Sequence, residues 1–274
     1  MKVLVIGGSG FLGTALVRQA TAAGWGSAAT YCSRPSSLPG VSWHQLDLRA
    51  PGHIDEVLAA SDPEVVINAT SGGSDWAVTA DGSIRVARAA AQRGCRLVQV
   101  SSDAVFSGSP TPYDETCLPD PVTPYGAAKA TAETAVRLLA PAAAVVRTSL
   151  IIGHGGSAHE CLVHALAAGT HDGVLFTDDI RCPVHVDDLA SAMWELAVSD
   201  GAGVFHLAGS DAISRHELGV LIARRDGLDA GRLAAGRRAD TRMPGALDVR
   251  LDSSATQGRV RTRLRGAREF LQGR

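Results

Sequence analysis

Val3-Leu4-Val5-Ile6-Gly7-Gly8-Ser9-Gly10-Phe11-Leu12-Gly13 is the stretch that decides the fold. Its four apolar residues predict a short buried strand. Residues 11–23 continue as a helix with Leu12, Ala15, Leu16 and Ala20 on one face. Between the two elements the glycines repeat as Gly7-x-x-Gly10-x-x-Gly13. Gly7 permits a tight turn, Gly10 leaves room for a pyrophosphate, and Gly13 lets the helix pack on the strand. Ser9, Phe11 and Leu12 complete the loop, and the unpaired N–H groups and positive dipole end of the helix favour an anion there.

Outward from this loop, β and α signals alternate. Strands are expected at 27–33, 41–46, 64–68, 96–101 and 143–147, with helices at 53–60, 84–92 and 125–139. Apolar strands alternating with helices specify an α/β fold, a doubly wound parallel sheet of the Rossmann kind, in strand order 3-2-1-4-5-6. The pattern loosens after residue 150, where only a helix at 186–198, a strand at 204–207 and a helix at 214–224 stand out. Residues 1–152 plus 185–208 are therefore expected to form the dinucleotide-binding domain. Residues 153–184 plus 209–274 are expected to form a smaller substrate-binding lobe.

Composition narrows the function classes. A chain of 274 residues with 45% hydrophobic and 20% charged residues is long enough for a core and excludes a disordered or fibrous protein. The net charge of −2 argues against a nucleic-acid partner. The N-terminus does not read as a signal peptide, and no run approaches the ~18 apolar residues of a membrane span. Five scattered cysteines without a C-x-x-C pair suggest reduced thiols in the cytoplasm. His154, His159 and His164 recur every five residues, which does not stack them on one helix face, so no metal site is expected. The last 60 residues carry 14 Arg against seven acids, a patch able to contact an anionic ligand.

The end of the second strand reports on the dinucleotide. Tyr31-Cys32-Ser33-Arg34 lacks the acid that holds an NAD ribose, and Ser33 with Arg34 suits the 2′-phosphate of NADP(H). Asp47 and Leu48 follow the third strand, where Asp47 can meet an adenine amino group. Asn68, Ala69 and Thr70 follow the fourth and are expected to line the cofactor.

Only two lysines occur among 26 basic residues, and one, Lys129, lies four residues after Tyr125. That spacing puts both side chains on one helix face. A nearby ammonium lowers a tyrosine's pKa and suits it to proton transfer, and Lys129 is also placed to reach a nicotinamide ribose. Ser102 ends the fifth strand at the sheet edge where ligands of such folds bind, and its hydroxyl can steady a carbonyl oxygen. Glu133, one turn past Lys129, reads as a salt partner on the helix surface.

With these motifs the sequence resembles the extended short-chain dehydrogenase/reductases, and within them the dTDP-4-dehydrorhamnose reductase group. The resemblance runs through Gly7–Gly13, Val100-Ser101-Ser102-Asp103-Ala104-Val105-Phe106, Thr123-Pro124-Tyr125-Gly126-Ala127-Ala128-Lys129, Val146-Arg147-Thr148-Ser149 and Pro183-Val184-His185-Val186-Asp187-Asp188. It implies reduction of a keto group on a nucleotide-linked 4-keto-6-deoxy sugar by NADPH. Ser102, Tyr125 and Lys129 would be catalytic, with Tyr125 donating the proton. Asp103, Ala104 and Arg181 would lie near substrate, and the chain would form a homodimer through the Tyr125 helix and the preceding one. The chain departs from the group at Ala104, where Tyr is common, and in the short loop between Asn68 and Ala80-Asp81-Gly82. Asp103-Ala104 also lacks the Asp-Glu pair of related dehydratases. A nucleotide-sugar epimerase, a reductase of a non-sugar ketone and a non-catalytic NADP-binding regulatory subunit remain as alternatives.

Overall fold

The computed structural model describes residues 1–109 and 111–272. Seven parallel strands form the central sheet: β1 (Lys2–Ile6), β2 (Gly26–Tyr31), β3 (Val41–Gln45), β4 (Val65–Asn68), β5 (Arg96–Ser102), β6 (Ala144–Thr148) and β7 (Gly203–Leu207). Their order is β7-β6-β5-β4-β1-β2-β3, which is the expected doubly wound order with β7 added at the β6 edge. Val3 pairs with Ser27 on one side and Val65 on the other, so the chain changes winding direction at β1. Ligands of open α/β sheets bind at the carboxyl ends of the strands beside such a switch point.

Alternation along the strands explains the two covering layers. Val3 and Val5 face α1 (Phe11–Ala22) and α6 (Val186–Ala197), packing with Leu16, Leu189 and Trp194. Leu4 and Ile6 face the opposite layer of α2 (His53–Ser61), α3 (Ser83–Gln92) and α4 (Pro124–Leu139), packing with Leu58, Val86 and Val136. Both sheet faces are thus buried, as the continuous apolar strand sequences require.

Helix α5 (Ala158–Ala168) lies within the Gly- and His-rich stretch that the periodicity left without a helix. Its signal was present as a capping box: Ser157 Oγ accepts from Glu160 N, and the Glu160 carboxylate accepts from Ser157 N. Helix α7 (Arg215–Arg225) packs on α5 around Val163, Leu218 and Ile222. A π-helical turn at Ala77–Gly82 leads into α3, a feature hidden in the sequence because Asp81 and Gly82 interrupt the helical pattern. Strand β2 stops at Tyr31, so Ser33 and Arg34 lie in the following loop.

The arginine surplus of the C-terminal stretch is largely spent within the molecule. Arg225 pairs with Glu160, Arg265 with Asp188, Arg238 with Asp179, and Arg268 with Asp211 and Glu217. Among the described residues, no helix is long and apolar enough to cross a membrane.

Candidate active site

Two cavities meet at the carboxyl edge of the sheet. The first, about 430 Å³, lies over the glycine loop and is lined by Gly7, Ser9, Gly10, Phe11, Asp47, Leu48, Ala69 and Thr70 among others. The second, about 490 Å³, is lined by Ser102, Asp103, Ala104, Tyr125, Lys129 and Arg181, and shares Phe11 and residues 69–71 with the first. One continuous groove therefore joins the glycine loop to the Ser–Tyr–Lys cluster.

The glycine loop has the tightness a pyrophosphate cradle needs. Gly7 sits at φ +79°, and a Cβ on Gly13 would stand 2.1 Å from the Gly7 carbonyl oxygen. Gly10 N donates to Gly7 O (3.0 Å) to close the turn, and α1 starts with no side-chain cap at Gly10, leaving its first N–H groups for a ligand. The residues present fit a bound dinucleotide.

Not every predicted cofactor residue lines the groove. Asn68 is fully buried; its amide donates to Gln99 Oε1 (2.9 Å), and its oxygen accepts from Thr70 Oγ1 (2.6 Å). It fixes the turn that places Thr70 instead of facing a ligand, because β4 is central and its last side chain points into the layer below. Ser33 and Arg34 are exposed, and neither lines the first cavity. Residues the sequence did not single out, Thr30, Cys32, Arg49, Ser71 and Val78, do line it. Arg49 is tied to Asp75 (2.6 Å) and Asp47 (3.2 Å). No local motif marks these positions; they come together through the pairing of β1 with β2 and β4 and of β2 with β3.

The Ser–Tyr–Lys cluster rests on close backbone packing. Thr123 Oγ1 caps α4 by accepting from Gly126 N (3.0 Å), and Pro124 opens the helix, where its missing N–H costs nothing. A Cβ on Gly126 would come within 2.0 Å of Ala104 O, so glycine alone lets α4 approach the turn after β5. Ser102 caps that turn: its Oγ accepts from Ala104 N (3.2 Å) and donates to Asp103 Oδ1 (3.2 Å). Asp103 accepts from Ser149 Oγ (2.6 Å) through its other oxygen.

Lys129 is 2% exposed and donates to Val100 O (3.0 Å) and Thr70 O (3.3 Å), two of the three bonds an ammonium can make. Burial pulls its pKa down to about 8, opposed by the charge of Glu133. Its Nζ lies 5.9 Å from the centre of the Tyr125 ring. The expected lowering of the Tyr125 pKa is not what this arrangement produces. Burial dominates and pushes the phenol up, against the neighbouring Ser71 and Ser102 hydroxyls, which favour phenolate. Tyr125 consequently holds its proton.

Glu133 is not on the surface. It is 2% exposed and forms a forked pair with Arg147 (2.8 and 3.1 Å), while accepting from Ser101 Oγ at 2.5 Å. Arg147 comes from β6, so no helical spacing announces this partner.

Arg181 lines the second cavity, but its donors are engaged by Ile180 O, Ala246 O and the Asp179 carboxylate. The sequence missed His159 and Arg215, which line the same cavity 3.0 Å apart. Both also line a smaller apolar pocket of about 160 Å³ with Phe176, Asp179 and Arg238. Arg181, Arg215 and Arg238 all converge on Asp179, at 2.9, 3.5 and 2.6 Å. Burial and the neighbouring Arg215 charge push His159 down to about 4, so it is neutral at physiological pH.

A family model described as RmlD substrate binding domain matches residues 1–265. dTDP-4-dehydrorhamnose reductase of Mycobacterium tuberculosis is 31% identical over 249 residues, covering 85% of this chain and 78% of that protein. Methionine adenosyltransferase 2 subunit beta of Rattus norvegicus is 30% identical over 245 residues, covering 81% of this chain and 71% of that protein. The crystal structure of dTDP-4-dehydrorhamnose reductase from Bacillus anthracis in complex with NADP has the same fold, with a TM-score of 0.81 at 22% identity over 99% of this chain and 97% of that one.

Proposed function

Because the chain belongs to the RmlD substrate binding domain family, we propose that it is an NADPH-dependent reductase of the keto group of a nucleotide-linked 4-keto-6-deoxy sugar. The observation that carries this reading is the single groove joining the glycine loop to Ser102, Tyr125 and Lys129. NADPH, when bound, supplies the hydrogen and electron pair that reduce the carbonyl carbon. Gly7, Ser9, Gly10, Phe11, Leu12 and Gly13 hold its pyrophosphate region, and Ala69 and Thr70 lie on the path towards Lys129.

Tyr125 is the proton donor. Burial keeps its phenol protonated, which suits it to place a proton on an oxygen that gains negative charge as the carbonyl is reduced. Ser102, held by the Ala104 N–H, orients that oxygen by turning its hydroxyl proton from Asp103 to the carbonyl. The Lys129 ammonium, below its pKa of about 8, has one donor left for a ribose hydroxyl and places positive charge beside the tyrosinate that forms. The alcohol leaves with the proton from Tyr125, which bulk solvent restores.

Arg181, Arg215 and Arg238 outnumber the Asp179 and Asp103 carboxylates they face, which leaves positive charge where the second cavity meets the adjoining pocket, suited to a diphosphate. The adjoining pocket, with Phe176 and Leu162 beside Arg215 and Arg238, suits the base of a nucleoside. Loss of NADPH absorbance with a panel of keto-sugar nucleotides and simple ketones tests the assignment. Turnover confined to the nucleotide-linked ketones is expected. NADPH binding without turnover of any carbonyl overturns it. That result would favour a regulatory subunit, a reading supported by the relative named as a subunit.

The choice of NADP(H) is assigned to Arg34, exposed beyond β2 and without an ion pair among the described residues. Arg34→Ala is expected to cut the preference for NADPH over NADH by roughly tenfold or more, the equivalent of losing one charged contact to the 2′-phosphate. An unchanged ratio of dissociation constants would remove Arg34 from the site.

A further inference from the structure

Beyond Phe11 and Gly153, which separate it from the groove, a cavity of about 760 Å³ is lined by His154, His185, Asp187, Arg225 and Arg265 among others. His154 follows the strand at Ile151–Ile152, while His185 and Asp187 lie at the start of α6. The parallel pairing of residues 151–152 with 184–185 is what brings them together across 31 residues of sequence. We propose that His154, His185 and Asp187 form a binding site for a divalent first-row transition cation, with zinc the best match to two imidazoles and a carboxylate.

The atoms already converge. Asp187 Oδ2 lies 2.9 Å from His154 Nε2 and 3.9 Å from His185 Nδ1, and one ligand atom from each of the three residues falls within 4.8 Å of the others. Tetrahedral zinc with arms of about 2.0–2.1 Å holds its ligand atoms roughly 3.3 Å apart, between those two separations. A cation would replace the proton now shared by His154 and Asp187. Water entering from the cavity would take the fourth position.

Each ligand is available in the form a metal needs. His185 Nδ1 carries no proton and accepts from Asp187 N (3.2 Å), so a cation would take this lone pair in exchange for that N–H bond. Its ring is held edge-on against His154 and Phe270. Arg18 occupies Asp187 through Oδ1 (2.5 Å) and leaves Oδ2 to the histidines. The remaining guanidiniums at the cavity are paired, Arg225 with Glu160 and Asp226, and Arg265 with Asp188. Four carboxylates therefore outnumber three guanidiniums around the site, which favours a cation. Bound metal would tie the turn before α5 to the start of α6.

Calorimetric titration of the metal-free full chain with zinc chloride, without dinucleotide or sugar, tests the site independently of the proposed reductase activity. One zinc per chain is expected, with a rise in Tm and no comparable effect of magnesium, which prefers six oxygen ligands. His154 is 68% exposed, so His154→Ala leaves the fold intact, and it is expected to weaken binding at least tenfold. The exposed thiols Cys32 and Cys161 are the competing ligands. The Cys32→Ser, Cys161→Ser double variant is expected to bind as the parent does. Absence of zinc binding, binding unaffected by His154→Ala, or binding lost with the two cysteines would each overturn the proposal.

Discussion

Replacing Tyr125 by Phe is expected to lower turnover of a keto-sugar nucleotide by roughly 10²- to 10⁴-fold, the range for removing a positioned general acid. NADPH affinity should be unchanged. The phenol oxygen is the only atom deleted, and the ring remains to fill the space between α4 and Ser71. Thr123, Pro124 and Gly126 set the position of residue 125 through backbone contacts that the substitution does not touch. The loss should appear in kcat with KM little altered, since the proton is needed only as the carbonyl oxygen gains charge. Steady-state rates alongside a fluorescence titration of NADPH measure the two effects separately. A variant retaining more than about a tenth of parental kcat would show that water or another group delivers the proton.

Glu133→Ala is the substitution with the largest expected effect on stability. Arg147 is 1% exposed and Glu133 2%, so the forked pair between them is cut off from solvent. Removing the carboxylate leaves a guanidinium beside Phe106 and His206 with Cys117 O its remaining oxygen acceptor. Ser101 Oγ also loses its partner. Breaking one side of a buried pair costs about 3–5 kcal/mol, because the remaining charge stays desolvated. Urea unfolding should therefore show a lower midpoint with an unchanged slope. Glu133 sits one turn beyond Lys129 and its charge holds the lysine pKa up. A variant that still folds should accordingly lose the Lys129 proton at lower pH, so its activity should fall, as pH rises, at a lower pH than that of the parent, whose lysine pKa is about 8. A loss under about 1 kcal/mol would place the pair among ordinary surface ion pairs, as the helical spacing alone suggested.

These two residues divide the legible from the illegible. Tyr125 and Lys129 were readable because their relation is local: four residues apart on one helix, in a chain with three tyrosines and two lysines. Glu133 stands at the same spacing from Lys129, and the same rule placed it wrongly on the surface. Its partner arrives on β6, and the burial that makes the pair matter comes from the sheet beneath α4. Asn68 shows the same limit. Its position after a strand is right, yet its side chain points inward to Gln99 and Thr70. Helix α5 was legible in principle, through the Ser157–Glu160 capping box, although hydrophobic periodicity did not show it.

The sequence by itself determined the doubly wound sheet, the glycine turn and the Tyr–Lys pair. Each depends on strand alternation, helical spacing or the absence of a Cβ, which are properties of a few neighbouring residues. The tertiary structure decided which charges are buried, which arginines are already paired and which histidines meet. Arg215, Arg238 and Arg181 converge on Asp179, and His154 joins His185 and Asp187, only because strands distant in sequence lie side by side. Electrostatic interactions gain their strength from desolvation and proximity, and both are set when the layers close over the sheet.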